Sequence, residues 1–185
     1  MISTTWFETE RLRLRPYGPA DVETLLRIFG DPDVRRYLFD DRVMPREWVE
    51  VEAAANEQLF AERGYGVALL YRRDEGAEAG DAPIGFAGFR PFFTPPETQL
   101  LYGLLPEAWG LGYATEVARA LVQLGFDRLG FDVVIGVTDP PNRASMRVME
   151  RAGLRFLEQR RRDGKEVVYF RARRPRPQLV SVGTS

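Results

Sequence analysis

The sequence predicts an α/β domain whose mixed, mostly antiparallel sheet is flanked by helices. Three observations carry this. The stretch before Arg90 mixes short period-two segments with helical stripes and lacks the regular strand–helix alternation of a parallel sheet. Residues 99–138 read as one strand–helix–strand unit with glycines at the strand-to-helix turn. A chain of 185 residues that is 44% hydrophobic and 29% charged suits one compact domain with an ordinary core.

The elements follow in order. Arg11–Pro16 alternates apolar and charged residues, as a strand does. Pro19–Phe29 carries a helical stripe of Val22, Leu25, Leu26 and Phe29. Asp31-Pro32-Asp33 opens a short second helix with Val34, Tyr37 and Leu38, and Pro45–Arg63 reads as a third. Gly66–Arg73 is a strand, followed by an acidic Gly/Ala-rich hairpin connection, Asp74–Ala82, expected to be mobile. Ile84–Arg90 and Thr98–Leu105 are strands. A long helix follows Tyr113, with Val117, Ala118, Leu121 and Leu124 on one face and Glu116, Arg119, Gln123 and Asp127 on the other. Asp132–Thr138 is a continuous apolar strand, as a buried parallel partner requires. Asn142 opens a helix that stops at Gly153, and two strands follow. The domain is expected over 8–173, with 174–185 a flexible tail.

Composition excludes several chemistries. A net charge of −1 and a pI near 5.7 leave no global basic surface, so no nucleic-acid partner is expected. With Cys 0 and His 0 there is no thiol nucleophile, no Ser-His-Asp triad and no expected metal site. Lys165 is the only lysine, and Glu166 after Gly164-Lys165 breaks a phosphate-binding Gly-Lys-Ser/Thr loop. The N-terminus lacks a basic leader and no apolar run approaches a membrane span, so no membrane partner and a cytoplasmic location are expected. Backbone groups and a borrowed co-substrate therefore rise as carriers of the chemistry.

Gly110-Leu-Gly-Tyr-Ala-Thr115 has three readings. It is a tight turn, a dinucleotide-binding G-x-G-x-x-G/A loop whose last position is here Thr115, or an anion cradle at a helix N-terminus. Asn142-Arg-Ala-Ser145 is an N-cap with an unremarkable serine, or part of a site. Tyr37, Trp48, Phe89, Phe92 and Phe93 are core residues or the lining of an acceptor cleft. Arg160–Arg162 and Arg171–Arg176 form a basic stretch offset by Glu158, Asp163 and Glu166.

Together, Trp109-Gly-Leu-Gly-Tyr-Ala-Thr-Glu116, Asn142-Arg-Ala-Ser145 and Met149-Glu-Arg-Ala-Gly153-Leu resemble the GNAT superfamily of acyl-CoA N-acetyltransferases, over roughly residues 8–173. Glu10–Arg15 and Asp31–Val34 resemble its RimJ/RimL branch, the ribosomal-protein N-alpha-acetyltransferases. The resemblance implies acetyl-CoA as co-substrate and no metal. The acyl-CoA would lie in the notch where the family's fourth strand, here Leu100–Leu105, splays from its fifth, here Val133–Thr138. Backbone groups near Leu104 and Leu105 would meet the pantetheine arm and polarise the thioester. Gly110, Leu111, Gly112, Tyr113, Ala114 and Thr115 would cradle the pyrophosphate, with Trp109 where the family has Gln or Arg. Asn142 would bond the pantetheine arm. Met149 occupies the place of a tyrosine proton donor, and Ser145 would protonate the thiolate instead. Gln99 stands where a glutamate often acts as base, with Glu97 nearby. The implied reaction is direct acetyl transfer to an amine acceptor, either a protein N-terminus or a small molecule, in a branch where homodimers are common. The alternative is a non-catalytic acyl-CoA-binding sensor.

Overall fold

The structure is a computed structural model, and it describes residues 5–73, 82–92 and 97–175. Most of the Asp74–Ala82 connection, Phe93 and the tail from Arg176 lie outside the described residues. The strands are β1 (Phe7–Glu8), β2 (Leu12–Pro16), β3 (Val67–Arg72), β4 (Gly85–Phe92), β5 (Glu97–Leu104), β6 (Val133–Thr138), β7 (Arg155–Arg162) and β8 (Lys165–Arg173). The helices are α1 (Val22–Gly30), α2 (Pro32–Leu38), α3 (Arg46–Arg63), α4 (Tyr113–Asp127) and α5 (Arg143–Arg151).

The strands form one eight-stranded sheet in the order β1-β2-β3-β4-β5-β6-β8-β7. Neighbours run antiparallel except β5 and β6. A lone parallel pair removes the dinucleotide-binding reading of the glycine loop, which needs a doubly wound parallel sheet. The two-residue β1 is too short to leave a periodic signal. The first helix begins later than its stripe suggests, because Pro19–Asp21 form a 3-10 turn whose Asp21 carboxylate accepts from the Gly18 N–H at 3.0 Å. Asp31 caps α2 by accepting from the N–H groups of Asp33 and Val34.

Alternation along each strand splits the core into two layers. Leu12, Leu14, Leu70, Phe89, Leu100 and Leu104 face α4 and α5, meeting Val117, Leu121 and Met149. Val67, Leu69 and Phe86 face the other way, against Leu25, Ile28, Phe29, Val49 and Ala53 of α1 and α3. Phe89 is edge-on to Tyr65 and Phe131, and Trp48 to Phe39, which gives these two of the five cleft candidates structural partners. Burying a side chain of this size contributes about 1.5–3 kcal/mol. No helix among the described residues is long and apolar enough to cross a membrane.

The feature that positions the site is the seam between β5 and β6. The β4–β5 ladder keeps one register from Phe92↔Glu97 to Gly85↔Leu104, and the Leu105 N–H extends it by donating to the Ile84 carbonyl at 2.9 Å. In an antiparallel ladder alternate residues face alternate neighbours, so Leu104, Tyr102 and Leu100 turn their N–H and C=O groups away from β4, toward β6. Yet β6 meets β5 at a single register position, Gln99↔Ile135, and then follows β8 from Val133↔Arg173 to Thr138↔Val168. Beyond Ile135 the two parallel strands part.

Candidate active site

A cavity of about 660 Å³ occupies this opening. It runs from the Gly110–Thr115 loop past Leu100–Leu104 of β5 and Val137 and Thr138 of β6, to the start of α5 and the Tyr37 side of α2.

At one end lies the glycine loop. Gly110 and Gly112 have φ of 74° and 82°, in the left-handed region that a side chain makes costly. Gly112 is the N-cap of α4 and contributes no side-chain cap. The Glu116 N–H makes the first helical bond, to the Gly112 carbonyl at 3.0 Å. The N–H groups of Tyr113, Ala114 and Thr115 thus have no acceptor within the helix. A Cβ built on Gly110 would meet nothing within 4 Å, and one on Gly112 only an Arg11 nitrogen at 3.5 Å. Open space over uncapped amides, at the positive end of a helix dipole, suits a phosphate. Gly110, Gly112, Tyr113, Ala114 and Thr115 line the cavity; Leu111, half exposed, does not.

A network the sequence did not announce fixes this loop. Glu116, in the first turn of α4, accepts from the Thr9 hydroxyl at 2.6 Å, the Arg11 N–H at 2.9 Å and the Arg11 Nε at 2.7 Å. Arg11 Nη1 donates to the Leu111 carbonyl at 3.0 Å, and its guanidinium lies 4.7 Å from the Tyr113 ring centre. Burial pushes the Glu116 carboxyl up, but these hydrogen bonds and the Arg11 charge outweigh it and hold the carboxyl below its ordinary range. The pairing also neutralises an anion that would repel a phosphate at the same helix end. Glu116→Ala is expected to lower stability at neutral pH by about 1–3 kcal/mol, the scale of charged hydrogen bonds. A group with a depressed folded pKa stabilises above its unfolded pKa and loses that contribution as pH falls through the folded one. Melting curves of parent and variant should therefore converge as acid protonates Glu116.

Trp109 has a local role. Its indole Nε1 donates to the Leu104 carbonyl at 2.7 Å, pinning the loop to the end of β5. The expectation for Leu105 needs correction: its N–H is committed to Ile84 and the residue does not line the cavity. The backbone facing the opening belongs to Leu104 and Tyr102.

At the other end Asn142 caps α5, its Oδ1 accepting from the Ser145 N–H at 3.1 Å. The Ser145 hydroxyl lies 2.9 Å from the Tyr102 hydroxyl, which also donates to the Ser145 carbonyl at 3.1 Å. Burial pushes the Tyr102 phenol up to about 12, although its bond to Ser145 pulls the other way. Tyr102 escaped the sequence reading, yet it shares the period-two face of Leu100 and Leu104. Met149 is buried, and a Cβ on Gly136 would lie 2.6 Å from its sulfur, so it serves as packing against β6.

Gln99 and Glu97 sit on the opposite face of β5, toward α1–α3. Gln99 is 5% exposed, and among the described residues its Nε2 has no hydrogen-bond partner. Glu97 lies 3.6 Å from both Arg160 and Arg162. The basic stretch is thus partly spent on Glu97 and Glu158. No cluster of three or more acidic residues among the described residues is arranged to hold a metal ion.

A parted parallel seam, with uncapped helix amides at one end and a serine-bearing helix at the other, has the room and the backbone donors to suit an extended, phosphate-ended ligand. The chain belongs to the acetyltransferase (GNAT) family, whose domain model matches residues 11–155. It is 33% identical over 175 residues to the uncharacterized protein YkkB of Bacillus subtilis, covering 92% of this chain and 96% of that one. It is 30% identical over 154 residues to the FsC-acetyl coenzyme A-N(2)-transacetylase of Aspergillus fumigatus, covering 81% of this chain and 65% of that one. The RimL ribosomal L7/L12 alpha-N-protein acetyltransferase, solved with coenzyme A, shares the fold with a TM-score of 0.73 at 17% identity, covering 92% of this chain and 97% of that one. The protein is therefore an acyltransferase, and the family's reaction is acetyl transfer from acetyl-CoA.

Proposed function

We propose that this acetyltransferase acts on α-amino groups, of a protein N-terminus or of a small amine of similarly low pKa, by direct attack of the neutral amine on acetyl-CoA. The observation that supports it most is the seam: one rung at Gln99↔Ile135, then an opening edged by β5 backbone that β6 does not pair, ending at an uncapped helix. In this reading the amides of Gly112 to Thr115 receive the pyrophosphate. The Leu104 and Tyr102 backbone and the Asn142 amide receive the pantetheine arm. A β5 N–H bears on the thioester oxygen, a contact whose removal typically costs about 2.7–4 kcal/mol. Ser145 protonates the departing sulfur.

The acceptor follows from what is missing. The chain has no histidine, Gln99 cannot take a proton, and Glu97 is held by two guanidinium groups. An α-amino group, with a pKa of roughly 7.7–8.0, is about a tenth neutral at pH 7, while a lysine side chain near 10.4 is neutral only to about 0.04%. The difference is a few hundredfold, and neither Gln99 nor Glu97 is placed to offset it. Two of the proteins named above point the same way, one being called an N(2)-transacetylase and the other an alpha-N-protein acetyltransferase.

The test is a competition at pH 7, read as release of the coenzyme A thiol. One peptide has a free N-terminus; the other is N-blocked and carries a lysine. The free N-terminus should react faster by two orders of magnitude or more, with the rate falling below about pH 7.5 as it protonates. Faster acetylation of the blocked peptide would overturn the reading.

A further inference from the structure

Tyr102 has no assigned part in the reaction, and its surroundings suggest one. It stands on β5 at the edge of the opening, among the residues that line the cavity, and its hydroxyl is aimed at Ser145. It has two acceptors on one residue: the Ser145 carbonyl at 3.1 Å and the Ser145 Oγ at 2.9 Å. A phenol carries one proton and can serve only one of them at a time. When it donates to the carbonyl, its oxygen is free to receive the Ser145 hydroxyl proton, which is then engaged with the phenol. When it donates to Oγ, the serine proton is released to point elsewhere.

We propose that Tyr102 is a positioning residue for Ser145, its hydroxyl turning from the Ser145 carbonyl to Oγ as that oxygen gives its proton to the leaving sulfur. The inference rests on the acetyl-transfer reading above. The transfer balances without an added acid or base. The C–N bond forms and the C–S bond breaks, Ser145 gives its proton to sulfur, and the surplus proton of the acceptor nitrogen returns through solvent to Ser145. The net change is one proton moved from nitrogen to sulfur. The serine oxygen bears partial negative charge while its proton is in flight, and a fixed donor at hydrogen-bond distance is the group that eases it. A phenol held near pKa 12 by burial keeps its proton throughout the working range and remains a donor.

The experiment is a double-mutant cycle in the full chain. Tyr102→Phe keeps the ring and removes the hydroxyl. It is expected to lower kcat by about 10- to 100-fold, leaving the KM for acetyl-CoA and the calorimetric affinity for coenzyme A unchanged. In a Ser145→Ala background the same substitution should cost nothing further, because the two hydroxyls act as a unit. In a Ser145→Thr background, which keeps a hydroxyl, the cost should return. An unchanged kcat in Tyr102→Phe, or an equal loss with and without the Ser145 hydroxyl, would overturn the proposal. Tyr102→Leu is a second hydroxyl-free variant should the phenylalanine form not fold. Failure of the parent to turn over any amine while binding coenzyme A would fall on the functional reading, and this inference would fall with it.

Discussion

Gly112→Val is expected to abolish coenzyme A binding, lowering calorimetric affinity by at least a hundredfold. Two effects act together. A branched side chain at the N-cap of α4 fills the open space over the Tyr113–Thr115 amides, where a phosphate must touch backbone. It also forces an L side chain into φ of 82°, which costs roughly 1–2 kcal/mol. The second effect is general strain and is separated by a control. Gly64 caps α3 at φ of 71°, with open space around it and no part in the cavity. Gly64→Val carries comparable strain and should bind coenzyme A like the parent, while both variants lose similar amounts of melting temperature. Parental affinity in Gly112→Val would remove the cradle assignment.

Ser145→Ala is expected to lower kcat by about 10²–10⁴-fold, with little change in the KM for acetyl-CoA. A proton donor acts on the transition state, so its loss appears in turnover and not in ground-state binding. The substitution is clean because Asn142 caps α5 through the Ser145 backbone N–H, which alanine retains. An unchanged kcat would return Ser145 to an ordinary helix-start serine.

The legibility of this molecule in its sequence varied with distance along the chain. The Gly110–Gly112 loop, the α4 stripe and the apolar β6 were readable because each is a local pattern: positive-φ glycines, a 3.6-residue period, an unbroken apolar run. The Asn142 cap was readable for the same reason. What stayed hidden depends on pairing. Glu116 read only as a residue of the α4 face opposite the apolar stripe, and the fold brings Arg11, 105 residues away, onto it. Tyr102 and Ser145 are 43 residues apart and meet across the seam. The assignment of Leu105 failed by one residue because the ladder, not the sequence, decides which amides face β4.

The single rung at Gln99↔Ile135 divides the sheet mechanically. One half, β1 to β5, is a continuous antiparallel meander, and the other is the three-strand set of β6, β8 and β7. Each half has its own dense ladder, while the joint between them is one backbone bridge reinforced by α4 and the side-chain layer beneath. At such a joint the two halves are held together by the shared side-chain layer on α4 and α5 more than by backbone hydrogen bonds. A molecule seated across it would act as a splint, so ligand occupancy and the rigidity of the whole sheet are two readings of one equilibrium.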